Sequence, residues 1–139
     1  MLALEPVAAY RVVSTPGALD VVQRAARQGA RPIVLRVAAD ELLVIDATPE
    51  RIDAAKASVV AADPFAIVEP DDGLVGAWLA WPRMDAIVTP HLEWALPDSR
   101  PIDALGLIAS IPCQLWLTET RAFLMTNAAC AHDLVERLS

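Results

Sequence analysis

Cysteine is scarce, at two residues among 139. Cys113 and Cys130 lack metal-ligand spacing and read most simply as buried thiols that behave as small hydrophobes. Glycine is also scarce. Its five copies, among them Gly73, Gly76 and Gly106, assemble neither a dinucleotide fingerprint nor a P-loop. Basic charge is thin: one lysine, ten scattered arginines and a net charge of −7 exclude the clustered positive surface that nucleic acid requires. No apolar run reaches the roughly 18–20 residues of a membrane span. The opening Met-Leu-Ala-Leu-Glu-Pro has no basic n-region or continuous apolar stretch, so no secretory signal is expected and the chain is read as cytoplasmic.

Catalytic groups are equally sparse. His91 has no nucleophile near it in sequence, and His132 neighbours Asp133, which points to a different helix face. Both fit surface or half-buried positions better than a catalytic one. The five serines, Ser14, Ser58, Ser99, Ser110 and Ser139, lie in no nucleophile elbow. Acidic pairs at Asp40-Glu41 and Asp71-Asp72 fall on expected turns, where aspartate is favoured for geometry and solvation. No catalytic, cofactor-binding or metal site is therefore assigned.

What is present is an apolar chain, 55% hydrophobic, with an internal repeat. Pro32–Thr48 aligns with Pro112–Ala128 at an offset of 80 residues without a gap. Leu35 then falls on Leu115, Val37 on Leu117, Leu43 on Phe123, Val44 on Leu124 and Ile45 on Met125. A helix-like segment follows each copy. A chain of this length can bury a core without metal or disulfide, and the repeat suggests two halves of one compact fold.

Local signals give the element order. Tyr10–Val13 is β-prone, and Thr15-Pro16 is an N-cap followed by a proline at the first helical position. The helix is expected over 16–28, stopped at Gly29. Ile33–Ala38 and Glu41–Asp46 read as a hairpin, Thr48-Pro49 starts a helix to about Ala61, and Phe65–Val68 reads as a strand before the turn Pro70-Asp71-Asp72-Gly73. This is the split βαβ order of ferredoxin-like folds.

The second half is expected to repeat it. Leu74–Trp81 reads as a strand covered on both faces, 82–88 as a short helix, and Thr89–Pro101 as irregular with one helical turn. A strand edge is placed at Leu107–Ile111, a hairpin at Cys113–Thr118 and Arg121–Thr126, and a helix at Ala128–Leu138. The fold class is thus α+β, two ferredoxin-like halves at about 8–70 and 74–139 packed as one domain spanning residues 1–139.

The tryptophans are the best candidates for contacts. Alternation puts Cys113, Leu115 and Leu117 on one strand face and Gln114, Trp116 and Thr118 on the other. Trp116 shares a polar face, and its repeat counterpart at offset 80 is Arg36. An aromatic there fits either a protein interface or packing beneath a loop or helix. Trp78, Trp81 and Trp94 flank the proline-rich segment and can fill the core or line an interface. Trp116, Trp78 and Trp81 are taken as interface candidates.

The succession Val37-Ala38-Ala39-Asp40-Glu41-Leu42-Leu43-Val44, a helix, then Phe65-Ala66-Ile67-Val68 and Asp72-Gly73 resembles the aminomethyltransferase-like folate-binding fold. Within it the chain is most similar to the gamma subunit of heterotetrameric sarcosine oxidase, over about residues 33–138. Ile111-Pro112, the hairpin through Phe123-Leu124 and the final Ala131-His132-Asp133-Leu134 helix extend the likeness. The resemblance implies a non-catalytic accessory subunit in one-carbon metabolism that holds no cofactor and partners larger flavoprotein subunits. Stand-alone binding of a folate-like small molecule and a homodimeric regulatory domain remain the alternatives; an enzyme acting alone ranks last.

Overall fold

A computed structural model describes residues 2–27, 33–45 and 48–139, forming two compact units, Val7–Asp72 and Met1–Pro6 with Gly73–Ser139. The expected ends of the first helix and of the second hairpin strand, at Gln28, Gly29 and Asp46, and the repeat's opening Pro32 fall outside the described residues.

The Val7–Asp72 unit contains β2 (Ala9–Val13), α1 (Pro16–Arg27), β3 (Val34–Ala38), β4 (Glu41–Ile45), α2 (Pro49–Ala62) and β5 (Ile67–Asp71). Its helices begin where side-chain oxygens meet orphan amides. Thr15 Oγ1 accepts from Ala18 N at 3.3 Å, and Thr48 Oγ1 accepts from Arg51 N at 3.2 Å with Pro49 at the first position. The fully antiparallel sheet runs β3-β4-β2-β5, the ferredoxin-like order. Leu19, Val22, Ala55 and Val59 from the helices pack on Tyr10, Val12, Val34, Leu42, Val44 and Val68 from the sheet. Fully burying a Val or Leu contributes about 1.5–3 kcal/mol, so this small core is the unit's main source of stability.

The last strand lies later than the sequence suggests. It spans Ile67–Asp71, while Phe65 is 90% exposed in the preceding turn, where its N–H donates to Asp63 Oδ1 at 3.0 Å. That turn stops Phe65 from entering the ladder, and the loop to the next strand shrinks to Asp72-Gly73. Ser14 N–H bonds Asp40 C=O, so alternation turns Arg11 and Val13 toward β5, and Val68 and Pro70 toward its open edge. Pro70 has no N–H to leave unpaired there, which blunts the edge against further pairing.

The other unit holds β1 (Glu5–Pro6), β6 (Leu74–Ala80), α3 (Trp81–Ile87), a 3₁₀ turn (Thr89–His91), β7 (Ile102–Ile108), β8 (Ile111–Leu117), β9 (Arg121–Asn127), a 3₁₀ turn (Ala128–Cys130) and α4 (Ala131–Arg137). Its sheet runs β1-β6-β9-β8-β7. Here the element order departs from that of the first half. Strands β6, β8 and β9 take the first, second and third ferredoxin-like positions, and among the described residues no strand follows α4. The N-terminal Glu5–Pro6 fills the fourth position, pairing with Val75 and Gly76. Strand β7 is an added edge strand in place of the short edge expected at Leu107–Ile111. It escapes sequence reading because its two-residue turn, Ala109-Ser110, has φ of 49° and 66° in residues with no glycine or asparagine signal. Glu93 Oε2 accepts from Ser110 N and Arg137 Nη1 donates to Ala109 O, holding that turn. Leu79, Leu115, Leu117, Ala122 and Leu124 meet Met84, Val88, Leu134 and Leu138 in a second helix-on-sheet core. β6 is covered on both faces only over its first half, where Leu74 and Gly76 are buried; farther along the same face Trp78 and Ala80 are exposed.

The repeat needs a one-residue correction. β4 and β9 match at offset 80, but Leu42 pairs with Arg36 whereas Ala122 pairs with Leu117. A bulge between Arg36 and Ala38 inserts a residue, so before it the match is Leu35 with Trp116 and Arg36 with Leu117, an offset of 81. A one-residue slip exchanges the faces. Arg36 therefore sits on the helix side, donating to Asp20 Oδ1, Gln23 Oε1 and the Ala39 carbonyl. The residue equivalent to Trp116 is Leu35, which is 1% exposed.

Candidate functional site

Pairing across three adjacent strands builds an aromatic row. Trp78 of β6 stands opposite Phe123 of β9, and Phe123 stands opposite Trp116 of β8. Directly opposed residues share a face, so the three rings lie on the sheet side away from the α3 and α4 core. The Trp78 and Phe123 centroids are 5.1 Å apart at 52°, a tilted aromatic pair. Arg121, two residues before Phe123, lays its guanidinium 3.7 Å from the Trp78 centroid. Trp78 is 37% exposed, Trp116 half-buried and Phe123 buried, which gives the row a wet rim and a dry centre. The same face of the edge strand adds Leu105 and Leu107, at 43% and 44% exposure. Sequence reading missed Phe123 and Arg121 because only the β6-β9 register brings them to Trp78.

Trp81 belongs to a different environment. It opens α3, its indole N–H donates to the Thr118 carbonyl at 2.8 Å, and its ring packs partly into the helix-covered core. Arg100 lies 5.1 Å from the ring centroid. Together Trp81, Asp98, Arg100, Thr118 and Glu119 line an open cavity of about 280 Å³. Trp94, the fourth tryptophan, covers Gly106 on β7.

The other ionisable groups have local duties. Arg11 bridges Glu41 and Asp71, each at 3.0 Å, tying β4, β2 and β5 together; the Asp71 hydrogen bond, then the neighbouring carboxylate charges, outweigh burial and raise its pKa. Ser14 donates to Asp63 Oδ2 at 2.7 Å, and this bond, with the amide of Phe65, holds the Asp63 carboxyl below its ordinary value. Burial pushes the Cys113 thiol up to about 11, while Cys130 is half-buried. His132 is exposed and 3.8 Å from Glu136; His91 closes a 3₁₀ turn, its carbonyl accepting from Ala109 N. Among the described residues no three His, Cys, Asp or Glu side chains group as metal ligands, and no helix is long and apolar enough to cross a membrane.

The fold is a mixed α+β arrangement of two antiparallel sheets, each backed by helices, in a two-half ferredoxin-like pattern. A solved structure shares it: a chain of the heterotetrameric sarcosine oxidase from Corynebacterium sp. U-96, in complex with pyrrole 2-carboxylate, superposes with a TM-score of 0.78. The match covers 98% of this chain and 80% of that one at 16% identity, which establishes a shared fold. No protein-family model and no curated protein matches the chain.

Proposed function

We propose that this chain is a non-catalytic accessory subunit of a larger, sarcosine-oxidase-like enzyme of one-carbon metabolism, working in the cytoplasm with flavoprotein partners. The observation that carries the reading is the structural likeness over nearly the whole chain to a chain of a heterotetrameric oxidase. The aromatic row supports it, since large rings with an apolar centre and a polar rim are the usual anchors of protein contacts. In this reading Trp78 and Trp116 are the principal contacts, Trp81 extends them toward the Thr118–Arg121 turn, and the two units act as halves of one subunit.

The test is affinity purification of the tagged full chain from its native source. Recovery with larger subunits that carry flavin absorbance supports the proposal; recovery as a monomer with no flavoprotein sinks it. Trp78→Ala and Trp116→Ala should each weaken such a complex by at least about tenfold if they are anchors, with the secondary structure of the isolated chain unchanged.

A further inference from the structure

We propose that the surface covering the aromatic row belongs to a different protein and sets an aspartate or glutamate carboxylate against Arg121. The inference rests on the reading of this row as a contact face and adds the chemistry of what meets it. Arg11, Arg24, Arg36, Arg100 and Arg137 each donate to an oxygen of this chain. Arg121 is arranged otherwise: among the described residues its guanidinium has one contact, the face of Trp78 at 3.7 Å. The chain carries 18 acidic residues, yet among the described residues none brings a carboxylate within ion-pair distance of Arg121.

Stacking uses the flat face of the guanidinium and leaves its N–H donors, which lie in the plane, available past the ring. A planar donor edge of this kind matches a carboxylate, which it grips with two parallel bonds. In the free chain water meets those donors. A partner that buries the exposed side of Trp78 displaces that water, so the acceptor has to arrive with the partner or the cation is left dry. The rest of the face is apolar: Leu105 and Leu107 are exposed, and exposed Pro112 stands directly opposite Leu107. Its complement is an apolar protein surface with one carboxylate at the β6–β9 side. A net charge of −7 repels a polyanion or an anionic lipid surface, and one cation does not offset it. A single acidic side chain on an apolar surface avoids that repulsion and answers Arg121.

Substitution at 121 spares the strand, because the turn uses the Arg121 backbone: its N–H donates to Thr118 Oγ1 at 3.1 Å and its carbonyl accepts from the Thr118 N–H and hydroxyl. Lys56 is the chain's single lysine. Arg121→Lys therefore adds an amine where the guanidinium stood, and a zero-length carbodiimide joins an amine only to a carboxylate in contact with it. The tagged full chain carrying Arg121→Lys is purified from its native source with its bound partner, treated with carbodiimide, and the linked peptides are read by mass spectrometry. The expected result is a link from position 121 to an aspartate or glutamate of a different protein, with Arg121→Glu weakening the same complex at least about tenfold. If the parent chain holds a partner that Arg121→Lys loses, weaker binding by Arg121→Glu than by Arg121→Ala supports a facing carboxylate, and equal loss overturns it. A stable complex with no link from position 121, a link only to a second copy of this chain, unchanged affinity in Arg121→Glu, or recovery of the parent chain alone overturns the proposal. Flavin separates the two readings. A link to a partner without flavin absorbance supports the facing carboxylate and sinks the flavoprotein assignment, whereas a flavoprotein complex with no link does the reverse.

Discussion

Replacing Gly106 by alanine should destabilise the Gly73–Ser139 unit by about 2 kcal/mol. A Cβ built there lies 2.5 Å from Cε3 and Cζ3 of Trp94 and 2.7 Å from its Cδ2, well inside van der Waals contact. Glycine at 106 has no positive φ, so the backbone alone would welcome alanine, with a gain of about 0.4–1 kcal/mol from the unfolded state. The clash decides the sign. Two responses are open, straining the strand or swinging the indole off it. Trp94 is half-buried, so the swing has the smaller cost. Losing roughly 100 Å² of apolar contact at about 25 cal/mol per Å² comes to about 2.5 kcal/mol, of the same order as ordinary overpacking. Denaturant unfolding of Gly106→Ala, Trp94→Ala and the double variant measures it. In the Trp94→Ala background the glycine substitution should become neutral or stabilising, a coupling of about 2 kcal/mol. A neutral Gly106→Ala in the parent chain, or an equal loss in both backgrounds, refutes the reasoning.

Gly17, in the first turn of α1, presents the opposite case: a Cβ there meets nothing within 4 Å, so Gly17→Ala should raise the unfolding midpoint, with a gain of about 0.5–1 kcal/mol. Thr48→Ala removes the α2 cap and should cost about 1 kcal/mol by the same assay, with Thr48→Ser nearly neutral. The lowered Asp63 pKa contributes stability that is present above its ordinary value of 3.8 and is lost as pH falls through the lower folded value. Ser14→Ala should therefore lose stability at pH 5–7 and converge on the parent in acid; a difference independent of pH down to 2.5 would count against the Ser14–Asp63 link. Thiol titration at pH 8 should label Cys130 first, because a pKa of about 11 leaves roughly one Cys113 in a thousand as thiolate. Cys113 should react fully only after unfolding, and fast labelling of both thiols would contradict its burial.

Much of the architecture was readable from side-chain chemistry alone. Thr15-Pro16 and Thr48-Pro49 mark helix starts because an oxygen acceptor and a missing N–H solve the same orphan-amide problem, and helices begin at both prolines. Both repeat hairpins and the Ala131–Leu138 stripe follow from period. What escaped reading depends on distant partners or on single-residue geometry. Nothing local to Glu5-Pro6 announces pairing with Gly76, the Ala109-Ser110 turn has no glycine to declare it, and the bulge before Ala38 is silent in an ungapped alignment. For the candidate site, alternation placed Trp116 and Leu115 on opposite faces as observed, while the neighbours Phe123 and Arg121 came only with strand order.

The pairing of Glu5-Pro6 with β6 has a consequence for synthesis. The Val7–Asp72 unit is continuous in sequence and can close its sheet as soon as it leaves the ribosome, whereas the first strand must wait for Leu74–Ala80. A segment made before the whole Val7–Asp72 unit is thus paired only after it, across a separation that makes it the least local contact of its sheet. A nascent chain halted shortly after Asp72 should hold a folded Val7–Asp72 unit beside a protease-sensitive Glu5-Pro6 segment, which becomes protected only when the second sheet forms.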